Sequence, residues 1–417
     1  MAETTTYQCP NCDGRLSFDS SVGRLRCEFC DSTFTSEEVE ALFAAKQEKA
    51  DAQAAKERRD ELSGAGSQTG AADQTGEGKE TAPTMSAAAA STTTATQVKP
   101  NAPLTGDPIK DYIAQSKWTD ADADNMRAYN CPACGAQLMV DQVTAVTSCP
   151  YCGNNTVVPG QLSDVLKPDY VIPFKLSKED AIAALKRYYQ DKPLLPNDFT
   201  NNNHIEEIQG IYVPFWLYSG TGVVEARFEG RNIRTWSDRD NIYTETDHFH
   251  LDREGTMQFF RVPVDGSTKM PDAHMDAIEP YDYSEMVPFS VAYLPGFLTD
   301  RYDLDVEYCD TRARKRTNAT CADVIAGTAT GYMEVHETRT DANVTWTNIS
   351  YALLPVWMLH TRWNGQDYLF AMNGQTGKFI GDLPIDNGKV RKRFLLTFLP
   401  IFVIVAVIIF FVFGFKL

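Results

Sequence analysis

The sequence predicts an α+β chain: two small cysteine-bearing β-ribbons, a mainly antiparallel-sheet α+β domain and one C-terminal transmembrane helix. Three observations carry this. Cys-x-x-Cys pairs recur at a fixed spacing in the N-terminal part of the chain. The stretch 161–388 alternates apolar, strand-like runs with Asn-Gly turns. The run 394–415 holds 22 residues without a charge.

The first ribbon occupies 1–35, where the pairs Cys9/Cys12 and Cys27/Cys30 are separated by 14 residues. A second occupies 127–160, with Cys131/Cys134 and Cys149/Cys152 again 14 apart and each 122 positions after its counterpart. This is an internal repeat. Zn²⁺ favours four thiolates in a tetrahedron, and a Cys-x-x-Cys turn presents two sulfurs to one ion with backbone N–H groups facing them. Each ribbon is therefore expected to hold one Zn²⁺, through Cys9, Cys12, Cys27 and Cys30 in the first and Cys131, Cys134, Cys149 and Cys152 in the second. The residue after the second cysteine of a pair tends to need positive φ; Asp13, Asp31, Gly135 and Gly153 stand there, all types that tolerate it. Between the first two pairs, RLSFDSSVGRLRC alternates as two short strands about a turn. Both copies resemble zinc ribbons of the rubredoxin and transcription-factor-B type. A redox dithiol is the competing reading of Cys-x-x-Cys, but such motifs come singly beside a βαβ pattern.

Thr35-Ser36-Glu37-Glu38 forms a capping box that opens a polar helix over 36–62, rich in Ala, Glu and Lys. The segment 63–126 is expected to be a flexible linker, since 63–105 is built of Gly, Ser, Thr, Ala and Gln with too few hydrophobic residues to offset the entropy of ordering. The first ribbon is thus expected to be free on a tether.

The α+β domain, 161–388, opens with Asp169-Tyr-Val-Ile-Pro-Phe-Lys. Ser177-Lys-Glu-Asp caps a helix whose Ile182, Leu185 and Tyr189 share a face and which Pro193 ends. IYVPFWLY (211–218) is expected to turn through Ser219-Gly220 into GVVEARFE (222–229). YALLPVWMLHTRW (351–363) is expected to turn at Asn364-Gly365 into DYLFAMN (367–373), and Asn373-Gly374 leads on to GKFIG. Asn-Gly between apolar runs is the strongest short hairpin signal.

The run 394–415, FLLTFLPIFVIVAVIIFFVFGF, would reach about 33 Å as a helix, enough to cross the hydrocarbon core of a bilayer. Lys389, Arg391, Lys392 and Arg393 crowd its N-terminal flank, and only Lys416 and Leu417 follow. The positive-inside rule then puts residues 1–393 in the cytoplasm, with 389–417 as basic flank and anchor of a single-pass, tail-anchored protein of the cell membrane. The start, MAETTTYQCPNCD, lacks the basic and apolar regions of a signal peptide. In that compartment, eight of ten cysteines in Cys-x-x-Cys pairs favour metal over disulfides.

These features together carry a family resemblance. Two ribbons, Ile172-Pro-Phe, Tyr212-Val-Pro-Phe-Trp, Leu294-Pro-Gly-Phe with Tyr302-Asp303, Leu354-Pro-Val-Trp and Asn373-Gly-Gln-Thr-Gly-Lys-Phe-Ile-Gly-Asp-Leu-Pro precede the terminal span. The chain resembles the double-zinc-ribbon membrane proteins of bacterial operons that also encode phage-shock protein A and an SPFH-domain protein. The likeness covers nearly the whole chain except 36–125. It implies a membrane-bound adaptor of an envelope-stress system, with phage-shock protein A-like and SPFH-domain proteins as partners. Members are often labelled primosomal protein N-prime or superfamily II helicase.

No enzyme is expected. GQTGK at 374–378 lacks the Ser/Thr of a Walker A loop and runs into Phe379, so it reads as a hairpin turn and a helicase label has no ATP site to rest on. Asp247, His248 and His250 share one extended stretch, with a polar strand face favoured over a metal site. Cys309 and Cys321 read as buried small hydrophobes. Arg312, Arg314, Lys315 and Arg316 form the one basic run of the domain, read as a solvated loop, with an acidic partner or lipid headgroups as its functional alternative. A nucleic-acid-binding replication or transcription factor is the rival function. Against it, the net charge is −17, the first ribbon sets three Arg against Asp13, Asp19, Glu28 and Asp31, and Asp141 is the one charge of 129–158 in the second.

Overall fold

Residues 211–218 and 351–359 are buried at every position, as strands covered on both faces must be, and they pair with each other. The computed structural model describes residues 9–12, 14, 16–20, 22–42, 45, 106–115, 126–141, 149–152, 154, 158–160, 166–190, 192–201 and 207–413.

Strands β1 (Leu16–Asp19), β2 (Arg24–Cys27) and β3 (Thr33–Phe34) form a small sheet of their own, with Leu16 opposite Cys27 as the alternation predicts. The capping box is in place: Thr35 Oγ1 accepts from Glu38 N–H at 3.1 Å and the Glu38 carboxylate from Thr35 N–H at 2.8 Å. Most of the polar helix expected to 62, and the expected linker as far as 105, lie outside the described residues. The rest of that linker is partly structured, contrary to expectation. Helix α1 (Pro108–Gln115) is capped by Asp107, and Tyr112 sets its ring edge on Trp216 and donates to Asp169 Oδ2 at 2.7 Å.

The remaining strands build one mixed, mainly antiparallel sheet. In chain order these elements are β4 (Met126–Asn130), β5 (Gln137–Asp141), β6 (Val158–Gly160), β7 (Tyr170–Val171), α2 (Lys178–Gln190), α3 (Asn197–Asn201), β8 (Gln209–Ser237), β9 (Ile242–Asp265), α4 (Asp272–Ile278), β10 (Val287–Pro288), β11 (Leu298–Asp300), α5 (Val306–Ala326), β12 (Glu334–Trp363), β13 (Gln366–Asn373), β14 (Phe379–Gly381) and α6 (Asn387–Phe413). The path runs β10-β7-β12-β8-β11-β5-β4-β6, with β9 on β8 and β13–β14 on β12. The contacts β8–β11 and β7–β12 are parallel.

The root of the sheet separates two apolar clusters by parity. Tyr212, Trp216, Tyr351, Leu353 and Trp357 belong to one, and Ile211, Val213, Phe215, Leu354 and Val356 to the other. The cysteine-rich N-terminal ribbon joins the first cluster; the second ribbon joins the other through Leu138, Val140 and its cysteines, while Met126 and Met139 reach the first. Beyond residue 222 the strands of β8, β9 and β12 continue as a long finger. There β8 alternates buried and exposed, with Val224, Ala226 and Phe228 packed against Cys321 and Ile325 of α5.

Ser219-Gly220 does not turn the chain. It is an irregularity inside the continuous strand β8, with register shifts at Tyr218/Gly220 against β9 and Trp346/Asn348 against β12. A Cβ at Gly220 would lie 2.4 Å from the Thr345 carbonyl oxygen, so the close approach of the two backbones requires glycine. Asn364 (φ 50°) and Gly365 (φ 78°) make the predicted hairpin turn between β12 and β13. GQTGK is likewise a hairpin connection, closed by Asn373 N–H to Lys378 C=O at 2.9 Å. In α2 the Ser177/Asp180 cap forms, while Ala181 shares the buried stripe with Leu185 and Tyr189, leaving Ile182 half-buried at its edge.

The basic run is neither a loop nor a free patch. It lies in α5, where Arg312 meets Asp265, Asp272 (2.9 Å) and Asp276 (2.7 Å), and Arg316 meets Glu279 (2.8 Å). Arg314 pairs with Asp310 (2.8 Å), which also accepts from Trp346 Nε1. The sequence hid this because the acids lie on β9 and α4, some 36 to 47 residues away.

Helix α6 starts seven residues before the apolar run, and Pro400 falls inside it. Its stretch Asn387–Ile409 is long and apolar enough to cross a membrane, with mean hydropathy 2.3 and none of its apolar window buried. Asp386 caps it, and Lys389 Nζ donates to Leu195 C=O (2.6 Å) and Asn197 Oδ1 (2.7 Å), which ties its first turn to the body.

Burial pushes the Asp265 carboxyl up to about 6 although Arg312 pulls it down. A folded-state value above the unfolded one means that unfolding releases a proton, so this group's contribution falls as pH rises from the unfolded value, about 4, through 6. Arg312→Ala strands Asp265 and should cost about 3–5 kcal/mol. Thermal melts should show a loss that grows from pH 5 to pH 8; a loss that is flat with pH would separate Asp265 from the effect.

Candidate metal centres

Four cysteine knuckles share one backbone design. The N–H of Cys9, Cys27, Cys131 and Cys149 donates to the carbonyl five residues on, of Gly14 (2.7 Å), Ser32 (2.9 Å), Ala136 (2.8 Å) and Asn154 (2.9 Å). This closes each loop so that both sulfurs face inward. Asp31 (φ 56°) and Gly135 (φ 72°) take the expected left-handed conformation, and Asp13 and Gly153 lie outside the described residues.

The knuckles converge in two groups. Cys9, Cys12, Cys27 and Cys30 place their Sγ atoms within 4.8 Å of one another, as do Cys131, Cys134, Cys149 and Cys152. The closest approaches are Cys9–Cys30 at 3.5 Å and Cys12–Cys27 at 3.4 Å in site 1, and Cys131–Cys152 at 3.6 Å and Cys134–Cys149 at 3.7 Å in site 2. A tetrahedron with Zn–S of about 2.3 Å has S···S edges of about 3.8 Å, so the donor set fits such an ion in both places. All ten cysteines are free thiols. Hydrogen bonding with Ser32, first with its side chain and then its N–H, lowers the Cys30 thiol to about 6. At Cys131 burial pushes upward, but the N–H groups of Cys134 and Ala133 outweigh it and leave the thiol at about 7. Both changes favour a thiolate at one ligand of each site. Burial raises Cys9, Cys149 and Cys152, and at Cys12 the Gly14 N–H lowers the thiol but the neighbouring sulfurs outweigh it and raise it.

The two sites differ in their surroundings. In site 1 Cys12 and Cys30 are exposed, and Phe29 between the last two ligands is 77% exposed. In site 2 no ligand is exposed, and Pro150 and Tyr151 of its second knuckle are buried. Strand β5 of that ribbon pairs with β11 of the body, Leu138 opposite Asp300. Buried Asp300 is pushed up to about 7, with Ser267 and Tyr151 drawing it down. Sequence reasoning did not find this junction; its one signal was the low charge of the second ribbon beside the first.

Site 1 is not hanging free. Phe18 N–H donates to Pro295 C=O (3.2 Å), its ring meets Tyr293 edge-on at 5.7 Å, and Ser36 Oγ donates to the Tyr293 hydroxyl at 3.0 Å. The expected tether therefore ends in a docked ribbon.

His248 and His250 are exposed on β9, opposite Arg231 and Glu229 of β8. Among the described residues, the two cysteine groups are the clusters of His, Cys, Asp or Glu that converge as metal ligands would. Cys309 and Cys321 are buried in α5 as expected, and burial, then Asp265, pushes the Cys309 thiol up to about 12.

No family model matches the chain, and no solved structure matches it. The uncharacterized protein YdjG of Bacillus subtilis (strain 168) is 30% identical over 316 residues, which cover 64% of this chain and 93% of that relative. This chain belongs to the YdjG family. Its two cysteine clusters and its long apolar helix are the features on which a function for it can be built.

Purified protein should carry about two zinc per chain, falling as protons compete for the thiolates at low pH. Cys131→Ser should remove one of them and lower the unfolding temperature of the whole body, because its ribbon continues the sheet. Cys12→Ser should remove the other at a smaller cost. Elemental analysis and melting curves check both; equal destabilisation would contradict the difference in surroundings.

Proposed function

We propose that this chain is a non-catalytic, membrane-anchored adaptor whose two zinc ribbons gather protein partners at the cytoplasmic face of the cell membrane, in an envelope-stress system of the phage-shock kind. The observation that carries the reading is the joint presence of two four-cysteine clusters and one exposed apolar helix of membrane-spanning length. Lys389, Arg391, Lys392 and Arg393 at the start of α6 support a cytoplasmic body. Cys309, buried with a raised pKa, and His248 and His250, exposed and outside the ligand clusters of the described residues, are in keeping with a non-catalytic role.

Charge pairing favours a protein over a nucleic acid as the ribbon's partner. Arg26 is held by Asp31 (2.9 Å) and Asp19 (3.6 Å), and Arg24 lies 3.8 Å from Glu38. Guanidinium groups engaged in this way offer phosphates little, since nucleic-acid affinity rests on free clustered cations. The family resemblance names phage-shock protein A-like and SPFH-domain proteins as the partners to seek.

Affinity capture from detergent-solubilised membranes should recover such partners with the intact chain, and several-fold less with Cys12→Ser/Cys30→Ser. Capture of no protein, together with salt-sensitive binding to DNA or RNA, would overturn the adaptor reading.

A further inference from the structure

The repeated ribbons are alike in sequence and unlike in how they are held. Site 2 lies in a hairpin that belongs to the main sheet: β4 and β5 pair with each other, β4 with β6, and β5 with β11. Its ligands are buried or half-buried, and its knuckle residue Tyr151 is enclosed by the body. An ion there is guarded by structure that does not depend on the ion alone.

Among the described residues, ribbon 1 has no such strand pairing with the body. Its strands hold four, four and two residues and pair only among themselves. Strands this short do not persist without a further constraint, and in a ribbon of this size the metal supplies it. Two of its four ligands, Cys12 and Cys30, face solvent, so a competing chelator can reach them one sulfur at a time. Beyond the apolar packing of Leu16, Phe18, Leu25 and Val39 in the cluster that holds Trp216, the ribbon is held by a few groups on one segment, 290–297. These are Phe18 and Ser36 against Tyr293 and Pro295, and Ser290, which donates to Glu40. Phe18 lies on β1, Ser36 lies two residues after β3, and both stay in place only while the ribbon is folded.

We propose that site 1 is an exchangeable Zn²⁺ site whose occupancy decides whether ribbon 1 stays docked on segment 290–297, while site 2 retains its ion. This rests on reading both clusters as zinc sites. Loss of the ion removes the cross-link between the two knuckles, the hairpin loses its register, and Tyr293 and Pro295 are uncovered. The adaptor then presents a surface that the loaded form keeps covered.

The test uses the full chain in detergent micelles, loaded with zinc, and a slight excess of a high-affinity chelator. Zinc release should be biphasic, with about half of the metal leaving first, at least tenfold faster than the rest. After the fast phase, alkylation should mark Cys9, Cys12, Cys27 and Cys30 and spare Cys131, Cys134, Cys149 and Cys152. Hydrogen exchange across 290–297 should rise together with the fast phase. Tyr293→Ala should raise that exchange without chelator while both zincs remain bound. Simultaneous release of the two ions, or emptying of site 1 with unchanged exchange at 290–297, overturns the proposal and leaves the zinc reading intact. Protein that binds no zinc overturns both.

Discussion

The pairing of β8 with β12 is the constraint on which the rest of the molecule depends. From Gln209 opposite Met358 to Arg231 opposite Glu334, the two strands run antiparallel along almost their whole length. At the root this pair is the wall between two cores, and side chains alternate between them with the two-residue period of a strand. Every other strand of the main sheet is reached from this pair. A large aromatic such as Trp216, fully buried and bonded through Nε1 to the Leu304 carbonyl at 2.9 Å, therefore holds more than its own contacts. It ties β8 to the loop before α5, and through α5 to the finger.

That wall also explains why a tandem repeat became two different modules. One ribbon packs on the face of Trp216 and Trp357, and the cysteine knuckles of the other on the face of Phe215 and Leu354, with its Met126 and Met139 reaching across to the first. A sheet has two faces but its edges and flanking loops are not equivalent. On one side the ribbon's own strands extend the sheet through β11; on the other the ribbon meets the loop 290–297 through an aromatic contact and a few hydrogen bonds. The side chains follow the environment. The second knuckle of site 2 carries Pro150 and Tyr151 into the interior, whereas that of site 1 leaves Glu28 and Phe29 to solvent.

What could be read from the sequence was what depends on near neighbours. The cysteine spacing, the capping boxes at Thr35 and Ser177, the Asn364-Gly365 turn and the apolar run of α6 are all set within a few residues, and each is present where the pattern places it. The α+β class with its mainly antiparallel sheet was legible for the same reason. What depends on distant partners was not. Ser219-Gly220 looks like a turn because a small polar pair between two apolar runs usually is one; here the pair relieves a crossing with Thr345, more than a hundred residues away. The run Arg312–Arg316 looks solvated because the acidic partners of Arg312 and Arg316 lie outside α5, and only Asp310, which pairs with Arg314, is local. Docking of ribbon 1 was hidden because the residues that receive it, Tyr293 and Pro295, are some 275 positions further on.

The resolution of the basic run changes the electrostatic picture of the chain. With Arg312, Arg314 and Arg316 neutralised inside the body, these guanidinium groups cannot supply a lipid-binding or phosphate-binding surface. The concentrated exposed cations of the described chain are then Arg391, Lys392 and Arg393, three successive positions on α6 that point in different directions around its axis. Lys389, one turn earlier, is turned back to Leu195 and Asn197. A helix whose first turn is bonded to the body does not swing as a free leash would. In a chain of net charge −17, the acidic body and the cationic start of the apolar helix are therefore held at a set distance.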